Sequence, residues 1–428
     1  MRPNILIVVA DDLGWGDVGY HGSNIRTPNI DSLVAGGVEL DQHYVCPMCT
    51  PTRASLMSGR FCSRWGNRAL KPSNERVFPF GTETLASALR STGYDTGISG
   101  KWHLGSLPEW GPNHFGFNRS YGSLAGGVGC YDHRYKKGPY TFTWHRNCEL
   151  IEEDGHASDL IGAEAVGWIR ERREPWFYYV PFTAVHIPVE APESYIADYA
   201  GNTYDDDPEK DEAYKRYAAY ATQMDDWIGR MVSALDETDQ RQNTLILFLS
   251  DNGSARSWRY QGLYPGTYPE SPVLGSNLPL RGWKSQTYEG GIRTPAFIHC
   301  PSLLSPGKVT APLHAIDWMP TLCSLAGYEP QRDLAWDGED VWPLLTGDSP
   351  EPRTLYWPFA GDKWAIRHGD WKLLQMGDHN PELYNLADDP CEKSDLADQS
   401  PDRVAELQDR LAQMRAQDSA ERPPDILP

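Results

Sequence analysis

The stretch Asn4-Ile5-Leu6-Ile7-Val8-Val9-Ala10-Asp11-Asp12 decides how the rest of this 428-residue chain is read. Its apolar run, Ile5–Ala10, is rich in β-branched residues and stops on a pair of carboxylates. The run is too short for a membrane span or a signal-peptide core, and it reads as a first strand buried on both faces. Two further runs have the same character, Trp176–Pro181 and Thr244–Leu249, the second leading into Ser250-Asp251-Asn252. Between them lie helical patterns. Thr84 caps a helix over Leu85–Ser91 that Gly93 ends, and Ala157–Arg172 and Ala213–Leu235 carry apolar residues at helical spacing. Strands alternating with helices predict an α/β layered domain around a largely parallel sheet. Ligands of such sheets bind beyond the carboxyl ends of the strands. A single Asp after a strand is more often a turn or cap residue. Two pairs, Asp11-Asp12 and Asp251-Asn252, leaving one sheet edge form a set of hard oxygen donors suited to calcium or magnesium.

Composition narrows the partners. There are 39 Lys and Arg against 59 Asp and Glu, a formal charge of −20. That balance argues against nucleic acid and anionic membrane as partners, since both need clustered basic residues. The 16 Trp and 22 Tyr suit concave surfaces that grip ring-shaped ligands. Cysteines at 46, 49, 62, 130, 148, 300, 323 and 391 are too scattered for a disulfide scaffold and read as mostly free, buried thiols.

Two long stretches rich in Gly, Pro and aromatic residues, Pro108–Trp144 and Ser257–Trp283, read as loops of the functional kind, walls or lids. The chain changes character near residue 350. Trp364–Arg367, a turn at Gly369-Asp370 and Trp371–Leu374 predict antiparallel strands. Ser400-Pro401 then opens a terminal helix with an apolar stripe of Val404, Leu407, Leu411 and Met414. Residues 1–350 are therefore expected to form a large domain and 351–428 a small α+β subdomain packed on it.

The segment Cys49-Thr50-Pro51-Thr52-Arg53-Ala54-Ser55-Leu56-Met57-Ser58-Gly59-Arg60 points to chemistry. Cys46-Pro47-Met48-Cys49 superficially suggests a redox pair or half a zinc site, but a zinc site needs a second ligand pair and the chain has no other CxxC. The segment resembles the signature of the sulfatase family: Cys, any residue, Pro, any residue, Arg, and later Gly-Arg. The resemblance continues, in the family's order, through Asn4–Gly16, Gly100-Lys101-Trp102-His103-Leu104-Gly105, Phe182-Thr183-Ala184-Val185-His186-Ile187-Pro188, Ser250-Asp251-Asn252-Gly253 and Arg281-Gly282-Trp283-Lys284 with Glu289–Pro295. It spans roughly residues 3–400.

This resemblance implies an alkaline-phosphatase-like large domain, with a mixed, mostly parallel sheet between helices, and a smaller C-terminal α+β domain with an antiparallel sheet. It implies that a maturation enzyme oxidises Cys49 to formylglycine, which supplies the nucleophilic oxygen and lets sulfate leave without a second attack at sulfur. It implies calcium, with magnesium as the alternative, held by Asp11, Asp12, residue 49, Asp251 and Asn252. Arg53, Lys101 and Lys284 would neutralise sulfate and the charge growing on it. His103 would take the proton from the nucleophile, and His186 or Lys284 would assist the departing alcohol.

The run Ile25–Arg60 resembles the branch of arylsulfatase B-like enzymes and bacterial polysaccharide sulfatases, which points to an exo-acting sulfatase of a sulfated saccharide. Trp110, His133, Arg134, Trp144, Arg256, Trp258 and Tyr260 in the two long loops are candidate sugar contacts, with packing of an irregular loop as the alternative. The rival readings are a phosphonate monoester or phosphodiester hydrolase of the same superfamily, and a non-catalytic relative that binds sulfated glycans. The second predicts a degraded site, whereas here every expected position is filled. A leader removed before maturity would place the protein in the periplasm or outside the cell; otherwise it is cytoplasmic.

Overall fold

The computed structural model describes residues 2–172 and 175–426. Asn4–Ala10 is a strand at the centre of a ten-stranded sheet. It pairs in parallel with Thr244–Ser250 on one side and Trp176–Pro181 on the other. Asp95–Lys101 and Arg119–Ser123 extend the parallel set. Ala296–His299 turns antiparallel beyond Thr244–Ser250, and Trp144–Arg146 does so at the other end. The fold is thus a mixed, mostly parallel sheet between helices.

Alternation along the first strand separates the two faces. Ile5, Ile7 and Val9 pack with the helices Cys49–Ser58, Leu85–Ser91 and Trp318–Ala326. Leu6, Val8 and Ala10 pack with Pro28–Ala35, Ala157–Glu171 and Pro208–Glu237. Having a helical layer on each face explains why the strand is apolar throughout. The Thr84 hydroxyl accepts from Ser87 N at 3.2 Å, as its cap role requires.

Two elements differ from the sequence reading. Arg119–Ser123 is a sheet strand inside a stretch taken as loop; Gly122 and the serines hide its pattern. The helix expected over Ala213–Leu235 runs from Pro208 to Glu237, because the charged first turn behind the Asp207 cap carries no apolar signal. Cys49 opens a helix of ten buried residues.

Four antiparallel strands, Thr354–Phe359, Lys363–His368, Trp371–Met376 and Glu382–Asn385, form the separate small sheet. One face takes Leu407 and Leu411 of the helix Pro401–Arg415, with Val404 and Met414 beside them. The other packs on Tyr44, Tyr288 and Ile292. Trp357 Nε1 donates to Val45 O at 3.0 Å, so this sheet braces the segment leading into Cys49.

Candidate active site

Neighbouring parallel strands deliver the acidic and basic groups to one edge. Asn4–Ala10 ends in Asp11-Asp12, Thr244–Ser250 in Asp251-Asn252, and Asp95–Lys101 on Lys101 with His103 just beyond. Trp176–Pro181 leads to His186. Cys49 and Arg53 lie one turn apart on the first turns of their helix, at the positive end of its dipole. Lys284 arrives from the second long loop, its backbone N bonded to Ser254 O at 3.0 Å. The catalytic and metal-ligand candidates therefore converge. Gly100 is required where two of these strands meet, since a Cβ there would overlap the Pro181 carbonyl oxygen. Asp12 and His103 hold left-handed backbone, at φ 68° and 56°, an uncommon conformation for non-glycine residues that recurs at functional sites.

The side chains form a buried charge network. Lys101 Nζ donates to Asp11 Oδ2 at 2.6 Å, with both side chains fully buried. Arg53 donates to Asp251 Oδ2 through Nε at 3.1 Å and Nη2 at 2.7 Å, and to Lys101 O at 2.6 Å. Lys284 Nζ reaches both Asp12 oxygens, at 2.6 and 2.7 Å, and Asn252 Nδ2 donates to Asp12 Oδ1 at 2.7 Å. The cations expected to meet sulfate are thus engaged with the acids. Three carboxylates facing three cations leave the cluster near neutrality, the arrangement that makes burying such charges tolerable.

The pairing sets the protonation states. Burial outweighs Lys101 and pushes the Asp11 carboxyl up to about 7. At Asp12 burial acts the same way, but Lys284, His186 and Lys101 overcome it and hold the carboxyl well below its usual range. Burial, against nearby Lys101 and Lys284, raises the Cys49 thiol. Burial and surrounding cations hold His103 and His186 far below the usual imidazole range, so both are neutral. His186 Nδ1 lies 2.6 Å from Ile187 O, which makes Nδ1 the protonated nitrogen and leaves Nε2, 3.9 Å from Asp12, as an acceptor. The ammonium of Lys284 is held protonated against its burial by Asp12.

Several buried atoms in the site have no partner: Asp11 Oδ1, Asn252 Oδ1 and both ring nitrogens of His103. Orphaned buried polar atoms are rare unless a ligand, ion or water meets them. Ligand atoms of Asp11, Asp12 and His186 lie within 4.8 Å of one another. The unpaired Asp11 oxygen and the adjacent Asp12 carboxylate, hard donors at such spacing, fit a hard divalent cation, calcium or magnesium. His186 is the unexpected member of that group.

The CxxC alternative fails on geometry. The Cys46 thiol points to Cys62, 4.0 Å away, and all eight cysteines are free.

Of the candidate sugar contacts, most serve packing. His133 stacks on Trp144 at 4.4 Å, and Trp144 Nε1 donates to Glu153 at 2.7 Å. Trp258 joins a ring cluster with Tyr260 and Tyr264, and the Tyr260 hydroxyl donates to Gly266 O at 2.6 Å. Trp110 accepts from Trp102 Nε1 through its carbonyl at 3.1 Å. Arg134 lies over Phe142, and neither it nor the exposed Arg256 makes an ion pair among the described residues. Sequence reasoning missed the residues nearer the centre. A Cβ on Gly126 would stand 3.1 Å from His103 Cε1 and 3.3 Å from Tyr135 Cε2, and one on Gly127 would overlap the His186 ring. The paired glycines, bracketed by a loop otherwise rich in side chains, were the available signal for that close approach.

Residues 3–328 match the Sulfatase family, and residues 282–417 match the family described as N-sulphoglucosamine sulphohydrolase, C-terminal. Mouse (Mus musculus) arylsulfatase J is 31% identical, covering 96% of this chain and 75% of that protein. Pig (Sus scrofa) N-acetylgalactosamine-6-sulfatase is 30% identical, covering 86% of this chain and 71% of its own length. The crystal structure of Ps i-CgsB in complex with k-i-k-neocarrahexaose superposes with a TM-score of 0.87 at 29% identity, covering 98% of this chain and 94% of that one. A mostly parallel sheet that gathers buried acids, cations and a signature cysteine at one edge is the architecture of a sulfuric ester hydrolase. The chain belongs to the sulfatase family.

Proposed function

We propose that the protein removes sulfate from a sulfated saccharide, with Cys49, oxidised to formylglycine by a maturation enzyme, as the nucleophile and a calcium ion beside it. The observation that carries this reading is the joint placement of Cys49, the orphaned oxygens of Asp11 and Asn252, and the cations Arg53, Lys101 and Lys284 at one sheet edge. The relatives named above include an N-acetylgalactosamine-6-sulfatase and a protein crystallised with k-i-k-neocarrahexaose, which supports a saccharide. Formylglycine would supply a nucleophilic oxygen and a route for sulfate to leave without a second attack at sulfur. Calcium, held by Asp11, Asp12, residue 49, Asp251 and Asn252, would polarise sulfate and screen its charge.

The chain's own groups do the rest. Because carboxylates and cations balance, a dication leaves an excess of two positive charges, complementary to sulfate and to the charge its oxygens gain in the transition state. Arg53 and Lys101 orient the sulfate oxygens. His103, neutral and with both nitrogens free, accepts a proton beside the Cys49 helix. Lys284 holds a proton that can be passed to the departing sugar oxygen, whereas His186 presents an acceptor at Nε2. Proton donation is therefore assigned to Lys284. Exo action is proposed on resemblance to the polysaccharide branch.

The test combines mass and turnover. In material from the native host, the peptide bearing residue 49 should be lighter than its cysteine form by about 18 Da, thiol replaced by aldehyde. The same material should release sulfate from terminal residues of short sulfated saccharides. Intact cysteine throughout, or release only from internal residues of long chains, would contradict the mechanism or the exo assignment respectively.

A further inference from the structure

The two long loops meet over the site. The Tyr268 hydroxyl donates to Asp132 at 2.9 Å, Lys137 N donates to Leu263 O at 2.8 Å, and the Tyr135 and Tyr264 rings lie 6.3 Å apart, edge to face. Tyr135 reaches inward to Gly126, against which the His103 ring also packs. Next to it, the Lys136 ammonium extends over the Tyr135 ring, 5.5 Å from its centroid. The exposed Lys136 thus stands over the ring that borders Gly126 and His103.

Its lack of a carboxylate partner sets it apart. Inside the site every cation is paired with an acid. On these loops Arg134, Lys136, Lys137, Arg256 and Arg259 make no ion pair among the described residues. In a chain with 59 acidic and 39 basic residues, loop cations without acidic partners are the reverse of what the composition supplies. Self-repulsion among them costs stability unless an anion comes to meet them. The scissile sulfate is already served by Arg53, Lys101 and Lys284, so this outer charge is spare.

We infer that Lys136 is a specificity-determining residue that holds a second anionic group of the substrate, a further sulfate or a carboxylate on the saccharide, while the first sulfate sits at Cys49. The inference rests on the sulfatase reading above and deepens it: the substrate is a polyanionic glycan rather than a singly sulfated one. The neighbouring cations raise the local concentration of such a chain, and Lys136 fixes its register at the opening.

The experiment compares kcat/KM for a saccharide carrying two sulfates with that for its singly sulfated counterpart. Wild type should favour the disulfated compound, and the preference should shrink as salt is raised. Lys136→Met keeps the stem over Tyr135, removes the charge and should cut the preference about tenfold, whereas Lys136→Arg should retain it. Unchanged thermal unfolding of the variants will exclude a folding effect. An undiminished preference in Lys136→Met, or a wild type that favours the singly sulfated sugar, overturns the inference while leaving the sulfatase reading intact. No sulfate release by wild type from any saccharide or aryl sulfate sinks that reading, and this inference with it.

Discussion

Two buried charge clusters in this molecule look alike in composition and differ in completion. One is the catalytic cluster of Asp11, Asp12 and Asp251 with Lys101, Lys284 and Arg53. The other joins the large sheet domain to the small sheet. There Lys372 Nζ lies 2.8 Å from both Glu289 Oε1 and Glu392 Oε1, and all three side chains are fully buried. Glu289 Oε2 accepts from the Tyr44 hydroxyl at 2.7 Å, and Glu392 Oε2 from Glu289 N at 2.7 Å. Glu392 Oε1 lacks a hydrogen-bond donor but lies beside the Lys372 ammonium, so each carboxylate oxygen of this joint has a cation or donor at hand. The catalytic cluster instead leaves Asp11 Oδ1, Asn252 Oδ1 and the His103 nitrogens without one. A cluster that only holds structure satisfies itself, whereas one that binds keeps atoms waiting for what it binds.

The contrast makes opposite predictions for the two places. The largest effect should come from the nucleophile: Cys49→Ala should lower sulfate release by at least about a thousandfold while thermal unfolding stays nearly unchanged. Next is the ion. A chelator should abolish activity and lower the melting temperature, and added calcium should restore both; the small-sheet joint has no such dependence. Full activity in excess chelator would break the metal assignment. Third, Lys284→Ala should slow desulfation of a sugar, whose alkoxide leaves poorly, by about a hundredfold, and that of a nitrophenyl sulfate far less. Equal losses on both would move the proton-donating role away from Lys284.

At the joint the effect is on stability. Lys372→Met strands two buried carboxylates and should cost about 3–5 kcal/mol in denaturant titration, with activity per folded molecule largely kept. The smallest effect concerns pH. Burial, with Glu289 acting in the same sense and Lys372 opposing, pushes the Glu392 carboxyl up to about 7 from an ordinary 4.5. The folded state therefore binds this proton more tightly than the unfolded chain. Its contribution is full below about pH 4.5 and fades as pH rises through about 7. Glu392→Gln should flatten that part of the stability–pH curve, measured by thermal unfolding; an unaltered slope would assign it elsewhere.

What the sequence made legible follows the same division. Asn4–Ala10 and Thr244–Ser250 announce themselves because apolar strands buried on both faces are continuous runs, and their acidic ends are local. The four-stranded sheet was partly visible through the Gly369-Asp370 turn between Lys363–His368 and Trp371–Met376. Arg119–Ser123 was not, since glycine and serine in an otherwise irregular stretch carry no strand signal. Positions of the catalytic residues could be read from motifs, but their partners could not. That Lys101 bonds Asp11, and Lys284 bonds Asp12, depends on which strand ends lie side by side. The joint of Lys372, Glu289 and Glu392 left no motif at all, because its members are far apart in sequence and each reads alone as surface charge. Loop packing likewise decided against His133 and Trp144 as free ligand contacts and brought Tyr135 and Lys136 forward instead.

The central claim is that the unfinished cluster around residue 49 cleaves sulfate from a saccharide. Its most direct test is desulfation of a panel of defined sulfated saccharides by calcium-loaded protein, wild type beside Cys49→Ala, with products identified by mass and linkage. The account predicts stoichiometric release of sulfate and the desulfated sugar by wild type, and none above background by the variant. Release by both proteins alike, or by neither on any member of the panel, would contradict it.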